Sequence, residues 1–300
     1  MTVAIDSLTL YRSAVADNRR WAGFTPRPDD IFVCTPAKCG TTWMQTIVAS
    51  VLFPDGALPA SILQMSPWIE AEFDPVDEVL ARLEAQRHRR FIKTHTPADG
   101  IPWFPDAKYI FVGRDGRDAF MSMCNHMARF RNDVRDELNA KIAHESVMPL
   151  PPWTGDVHGF FSVWLATRGM LEHVAGFWER RHQPNLLLVH YNDLKADLAG
   201  EMRRLAAFLG ARVTEAQWPQ VVERCTFESM RAREAEIGDF GRVFEGGAKG
   251  FLFEGTNGRW RDVLTPAELD AYAARVKDLL PPEGTAWLES GRRSRELRKG

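Results

Sequence analysis

Short apolar runs alternate with helix-spaced apolar positions along most of the 300 residues. The first run, Asp30-Ile-Phe-Val-Cys-Thr35, is apolar at every interior position. That is the pattern of a strand buried on both faces of a parallel sheet. Pro36 to Gly40 breaks it. From Thr41 to Phe53, Trp43, Ile47 and Val51 recur on one helical face with Met44 and Val48 beside them, which predicts a helix. Arg90-Phe-Ile-Lys-Thr94 predicts a second short strand. Lys108 to Arg114 predicts a third, with a helix following from Asp115 to Phe130. Residues 131–158 are polar, then proline-rich, and predict an irregular excursion over one face of the core. Gly159 to Arg181 reads as one long aromatic-rich helix. Leu186 to His190 predicts a fourth strand. Asp193 then offers an N-cap for a helix over Leu198–Leu209, which Gly210 stops. A further helix is expected over Trp218–Cys225, a mouldable glycine-rich loop over 238–258, and a last helix from Thr265-Pro-Ala-Glu, a capping-box pattern. Strands alternating with helices predict an α/β fold of three layers, a central parallel sheet flanked by helices. No internal repeat or linker divides the chain, so one domain over 1–300 is expected, with its core over 25–280.

Composition narrows the class. Hydrophobic residues make up 45% and charged residues 26%, which excludes a disordered chain. The formal net charge is −2, so no global positive field recruits nucleic acid or an anionic membrane. Anion binding must be local. The four cysteines (Cys34, Cys39, Cys124, Cys225) show no C-x-x-C spacing, which speaks against a disulfide framework and a zinc site. The amino-terminal stretch lacks the apolar region of a signal peptide, and no apolar run would span a bilayer. A soluble, reduced, cytoplasmic protein is the expectation. The basic end, residues 291–300, reads as a solvated tail.

The loop Pro36-Ala-Lys38-Cys39-Gly40-Thr41-Thr42-Trp43 follows the first strand and opens a helix. It lacks the strict phosphate-loop pattern G-x-x-x-x-G-K-S/T. The physics survives in altered order. Gly40 lets backbone amides turn inward, Thr41 and Thr42 add hydroxyls, and a helix N-terminus supplies a positive dipole end. Lys38 adds a mobile charge. A plain strand-to-helix turn with a capping threonine would read much the same, so spacing alone prefers the anion site only weakly.

The segment nevertheless resembles the 5′-phosphosulfate loop of the cytosolic sulfotransferase family, usually P-K-S-G-T-T-W. Arg114-Asp-Gly-Arg-Asp-Ala-Phe-Met-Ser122 is similar to that family's 3′-phosphate block. Lys93-Thr-His95 resembles its K-T-H segment, and Gly255-Thr-Asn-Gly258-Arg-Trp260-Arg resembles its C-terminal block. The four occur in family order from residue 36 to 261. The resemblance implies a modified P-loop α/β fold. It also implies transfer of a sulfuryl group from 3′-phosphoadenosine 5′-phosphosulfate (PAPS) to a hydroxyl, leaving 3′,5′-ADP, without a metal.

It further implies roles. Lys38 would stabilise the leaving phosphate, and Lys93 would add charge near the transferring group. His95 would be the general base, a role its ordinary pKa of about 6.5 suits. Cys39, Gly40, Thr41 and Thr42 would line the 5′-phosphate. Trp43, Tyr191, Phe227 and Met230 would contact adenine. Arg114, Ser122 and the Gly255 amide would hold the 3′-phosphate. The bland alternatives are helix packing for Trp43 and Ser122, core packing for Tyr191, and a structural histidine among the 8 present. Cys225 stands where the family has threonine and reads as a small core residue. Phe253-Glu254 stand where the family has two cations for the 3′-phosphate, with Lys249 as a candidate to compensate.

Ser66-Pro67-Trp68-Ile69-Glu70 resembles the segment lining the family's acceptor pocket, which makes Trp68 a pocket candidate. Phe73, Trp103, Met148 and Trp153 are weaker ones, and the 131–158 excursion would lie near this pocket. Together they suggest a small apolar or aromatic hydroxyl acceptor. Homodimer formation would use Arg261…Thr265-Pro266…Asp270, in which Pro266 stands where the family has valine. Two alternatives stay open: a P-loop kinase-like phosphotransferase and a non-catalytic adenosine 3′,5′-bisphosphate-binding protein.

Overall fold

Four short segments form the strands of a parallel sheet among the described residues: β1 (Ile31–Cys34), β2 (Phe91–Thr94), β3 (Lys108–Gly113) and β4 (Leu186–His190). Their order is β2-β1-β3-β4, every pair parallel. The computed structural model describes residues 5–167, 169–251 and 255–293, the side chains of 248 and 249 excepted. Phe253, Glu254, the side chain of Lys249 and the tail from residue 294 therefore lie outside the described residues.

The period-2 alternation of a strand divides the core between the two faces. Phe32, Cys34, Ile92, Tyr109 and Phe111 face one apolar cluster with Trp21, Phe177, Tyr272 and Trp287. Ile31, Val33, Phe91, Ile110 and Val112 face the other, with Met44, Ile47 and Leu205. Every residue of β1 is buried, as the unbroken apolar run predicts.

Helices supply the outer layers. In chain order they are α1 (Thr41–Leu52), α2 (Ile62–Met65), α3 (Val76–Ala85), α4 (Gly116–Arg129), α5 (Asn132–Lys141), α6 (Val157–Ala166) and α7 (Met170–Glu179). There follow α8 (Tyr191–Ala196), α9 (Leu198–Leu209), α10 (Trp218–Glu223), α11 (Phe227–Ala232), α12 (Glu234–Ile237), α13 (Gly247–Phe251), α14 (Pro266–Leu279) and α15 (Pro282–Ser290). The expected three-layer architecture is present.

Four local expectations are corrected. The helix expected over 159–181 is two, α6 and α7. Between them Gly169 adopts φ −143° and ψ −117°, a conformation no helix continues through. The excursion over 131–158 contains α5, whose sequence is too polar to show an apolar stripe; only Leu138 of it is buried. Asp193 does not cap α9. It lies inside α8, and its carboxylate accepts from the Arg292 and Arg293 amides at 2.8 and 3.0 Å. Asp197 is the cap, accepting from Gly200 N at 2.8 Å. Arg292 also reaches Glu201 Oε1 at 2.7 Å, so the tail is anchored where it begins. Finally, α14 is not the last helix: Pro281 and Pro282 end one helix and begin α15.

Candidate functional site

A parallel sheet directs its strand-to-helix loops to one edge, beyond the carboxyl ends of the strands. There the loop after β1 turns sharply. Lys38 has φ +68°, a left-handed conformation rare for a side-chain-bearing residue, and Gly40 has φ +97°. Thr35 and Thr41 close the turn with a 2.5 Å contact between their hydroxyls. Thr41 and Thr42 form the first turn of α1, whose leading amides have no intrahelical acceptors. A Cβ on Gly40 would lie 3.0 Å from Tyr191 Cδ2, so this loop and the end of β4 touch.

A cavity of about 990 Å³ opens over this edge. Lys38, Gly40, Thr41, Thr42, Trp43, Lys93, His95, Arg114, Ser122, Tyr191, Phe227, Met230 and Gly255 all line it. Each was singled out from the sequence. Cys39 does not line the cavity: its side chain is fully buried beneath the loop, and burial pushes the thiol up to about 12. The Lys38 and Lys93 side chains open to the cavity and are otherwise enclosed by protein. Burial, then Arg114 and Lys93, bring Lys38 down to about 7. Burial brings Lys93 down to about 8, with Glu70 opposing. The Lys93 ammonium sits 4.5 Å from the Trp68 ring centroid.

Arg114 directly follows β3 and is 5% exposed. Its guanidinium donates to Lys38 O at 3.1 Å and to Asn257 Oδ1 at 2.9 Å, and lies over the Tyr191 ring at 4.2 Å. Its buried Nε has no hydrogen-bond partner among the described residues. Such an orphaned donor in a wall of cations suits an anion.

His95 follows β2. Its Nδ1 donates to the Thr35 carbonyl at 2.6 Å. That bond fixes the tautomer: Nδ1 carries the hydrogen and Nε2 keeps the lone pair. Burial, then Lys93, hold the imidazole well below its ordinary pKa, so it is neutral. A neutral imidazole with a defined lone pair can accept a proton.

Trp43 donates its indole N–H to Cys225 O at 2.8 Å and meets Tyr191 edge-on, with centroids 5.3 Å apart. Cys225 is fully buried, its thiol 3.3 Å from Ser50 Oγ. Of the acceptor candidates, Trp68 and Phe73 line the cavity. Trp103, Met148 and Trp153 do not. Trp103 stacks on Tyr109 in the core, Trp153 packs edge-on against Phe160, and Met148 is 77% exposed. The apolar wall instead takes Val79, Leu150, Trp164 and Met170.

Two histidines that the sequence did not single out also line the cavity. His126 Nδ1 lies 3.4 Å from Lys38 Nζ. Its signal was available, since it stands one turn after Ser122 on α4, and residues four apart share a face. His173 is 2% exposed, and its Nε2 has no partner among the described residues. Nothing in the local pattern of α7 distinguishes it from a core residue.

The family model of the sulfotransferase domain matches residues 28–281. A glycolipid sulfotransferase of Mycobacterium bovis is 36% identical, covering 95% of this chain and 95% of its own. Human sulfotransferase 1C2 is 26% identical over 88% of each chain. Among solved structures, mouse sulfotransferase SULT7A1 complexed with PAP has a TM-score of 0.67 at 21% identity, covering 92% of this chain and 90% of its own. Retinol dehydratase with androsterone and PAP has a TM-score of 0.61 at 23% identity, covering 86% and 82%. These two share the fold. The family match and the relative at 36% identity, each running along most of the sequence, lead to one conclusion: this chain belongs to the sulfotransferase family.

Proposed function

We propose that this sulfotransferase takes its sulfuryl group from PAPS and delivers it to a hydroxyl of a lipophilic or phenolic acceptor, with His95 as the base. The observation that carries the reading is a convergence in one cavity. Lys38, Lys93, Arg114 and a helix N-terminus line it beside a neutral imidazole whose Nε2 lone pair is uncommitted to the Thr35 bond. Family membership weighs against the kinase alternative. The mouse and retinol dehydratase structures were solved with PAP, which supports the same nucleotide here.

The residues fit the donor. Amides of Gly40, Thr41 and Thr42 face the 5′-phosphate, and the orphaned Arg114 Nε, with Ser122 and Gly255, suits the 3′-phosphate. Trp43, Tyr191, Phe227 and Met230 enclose the adenine. The Trp43 bond to Cys225 O fixes its ring plane. Lys38 and Lys93 meet the charge that builds on the leaving phosphate and the transferring group. His95 takes the acceptor proton as the hydroxyl oxygen attacks in line. For the acceptor, the apolar wall and the glycolipid named for the relative at 36% identity both favour a lipophilic alcohol.

Incubation with radiolabelled PAPS and a panel of glycolipids, long-chain alcohols and phenols tests the proposal. Label should pass to at least one member and not appear with His95→Ala. Absence of transfer to every member, with the label released as free sulfate at the same rate in both proteins, would overturn the role given to His95.

A further inference from the structure

We propose that His126 is a positioning residue for Lys38, its Nδ1 accepting a hydrogen bond from the lysine ammonium while the anion site is empty. The inference rests on the donor-site reading above and adds a residue to it.

Lys38 presents an electrostatic difficulty before any donor arrives. Its ammonium shares the cavity with Arg114 and Lys93, and no carboxylate lies within ion-pair distance of it among the described residues. The groups that act on it are Arg114 directly after β3 and Lys93 from β2, both cationic, and Cys39, whose thiol stays protonated. His95 on the β2 side is neutral. An ammonium so placed loses its proton unless something favours the charged form. His126 offers an acceptor for it from α4. Its Nδ1 is 3.4 Å from Lys38 Nζ, and Phe251 from α13 offers its ring face at 4.3 Å. The imidazole is itself held in place by aromatic rings, with Phe244 at 4.7 Å, Phe130 at 6.0 Å and Phe251 at 6.3 Å between centroids. Burial and the neighbouring Lys38 keep it neutral, so Nδ1 can accept.

The arrangement also sets direction. Ser122 and His126 stand four residues apart on α4 and both line the cavity. Lys38 is therefore oriented towards α4 until donor phosphates compete for it. The anion then takes over the role of the imidazole.

Acylation of Lys38 by acetic anhydride, followed across a pH series by peptide mass spectrometry, reads the lysine directly. The proteins are wild type, His126→Phe and His126→Asn, each with and without 3′,5′-ADP. Phenylalanine keeps the aromatic packing and removes the acceptor; asparagine returns an acceptor oxygen near the Nδ1 position. The midpoint for His126→Phe should fall below that of wild type by about one pH unit, the scale of a hydrogen bond to a charged group. His126→Asn should restore most of it. Saturating 3′,5′-ADP should protect Lys38 in all three and shrink the difference. If His126→Phe does not fold, His126→Leu carries the same comparison. Equal midpoints in wild type and the variant lacking the acceptor, or failure of asparagine to restore the shift, overturn the proposal. Failure of 3′,5′-ADP to protect Lys38 in wild type overturns the donor-site reading instead.

Discussion

A methyl group at position 40 would meet Tyr191 Cδ2 at 3.0 Å, on a backbone already at φ +97°. Gly40→Ala should therefore cost about 1–2 kcal/mol from the left-handed backbone alone. It should weaken 3′,5′-ADP binding further, because the amides of the loop would move. Denaturant unfolding and calorimetry check both; wild-type values in each would mean that the loop relaxes freely. At His95 the expectation separates binding from chemistry. His95→Ala should lower turnover by about 10²–10⁴-fold, the range for a lost general base, with 3′,5′-ADP affinity unchanged. Steady-state kinetics and calorimetry on one preparation decide it. A parallel loss of nucleotide affinity would place the imidazole on the donor side. Much of the site was legible through the resemblance of four short blocks to the sulfotransferase family, since spacing alone preferred an anion loop only weakly. His173 was not, since nothing in the pattern of α7 sets it apart, and His126 carried only the signal of standing four residues after Ser122.

Among the elements, β3 and α15 depend on each other. Gly113 ends β3, and a Cβ there would lie 2.4 Å from the Trp287 ring. Trp287 is 5% exposed and packs edge-on against His190 of β4, with centroids 5.2 Å apart. Gly113→Ala should destabilise the protein by about 1–3 kcal/mol through overpacking. Trp287→Ala should cost about 3–5 kcal/mol. Chemical denaturation of the two single variants and the double gives the coupling, which should be large because the groups touch. Strict additivity would mean that α15 does not bear on the end of β3. Three strands were legible from unbroken apolar runs, and β2 from the shorter pair Phe91-Ile92 before Lys93. The break between α6 and α7 was not, because only Thr167, Arg168 and Gly169 separate an apolar stretch ending at Ala166 from one resuming at Met170. The helix α5 was hidden for the opposite reason: it buries almost nothing, so it has no stripe to read.

At the scale of the whole molecule, the cationic cavity makes stability and binding depend on pH in opposite directions. Lys38 is lowered to about 7 and Lys93 to about 8 in the folded protein, while an unfolded chain holds those protons to about 10.5. Between these limits the unfolded state binds more protons, so the ligand-free protein should gain stability as pH rises from 7 towards 10. Below about pH 6.5 the buried neutral His95, His126 and His173 act in the same sense, and stability should fall as they are forced to charge. The affinity for 3′,5′-ADP should fall over the upper window, because the anion needs the lysines protonated. Thermal unfolding across pH, with and without nucleotide, reads both trends; an affinity that rises with pH would remove Lys38 and Lys93 from the anion site.

The cavity should bind an adenosine 3′,5′-bisphosphate in preference to other adenine nucleotides. Thermal unfolding with 3′,5′-ADP, 5′-AMP and Mg²⁺-ATP at one matched concentration tests this. At a hundredfold excess over its dissociation constant, 3′,5′-ADP should add about 2.7 kcal/mol of stability, a shift of several degrees in Tm. 5′-AMP should add less, because Arg114 would meet no 3′-phosphate, and Mg²⁺-ATP should add little. Equal stabilisation by 5′-AMP would contradict the role given to Arg114, and stabilisation by Mg²⁺-ATP alone would contradict the account of the site.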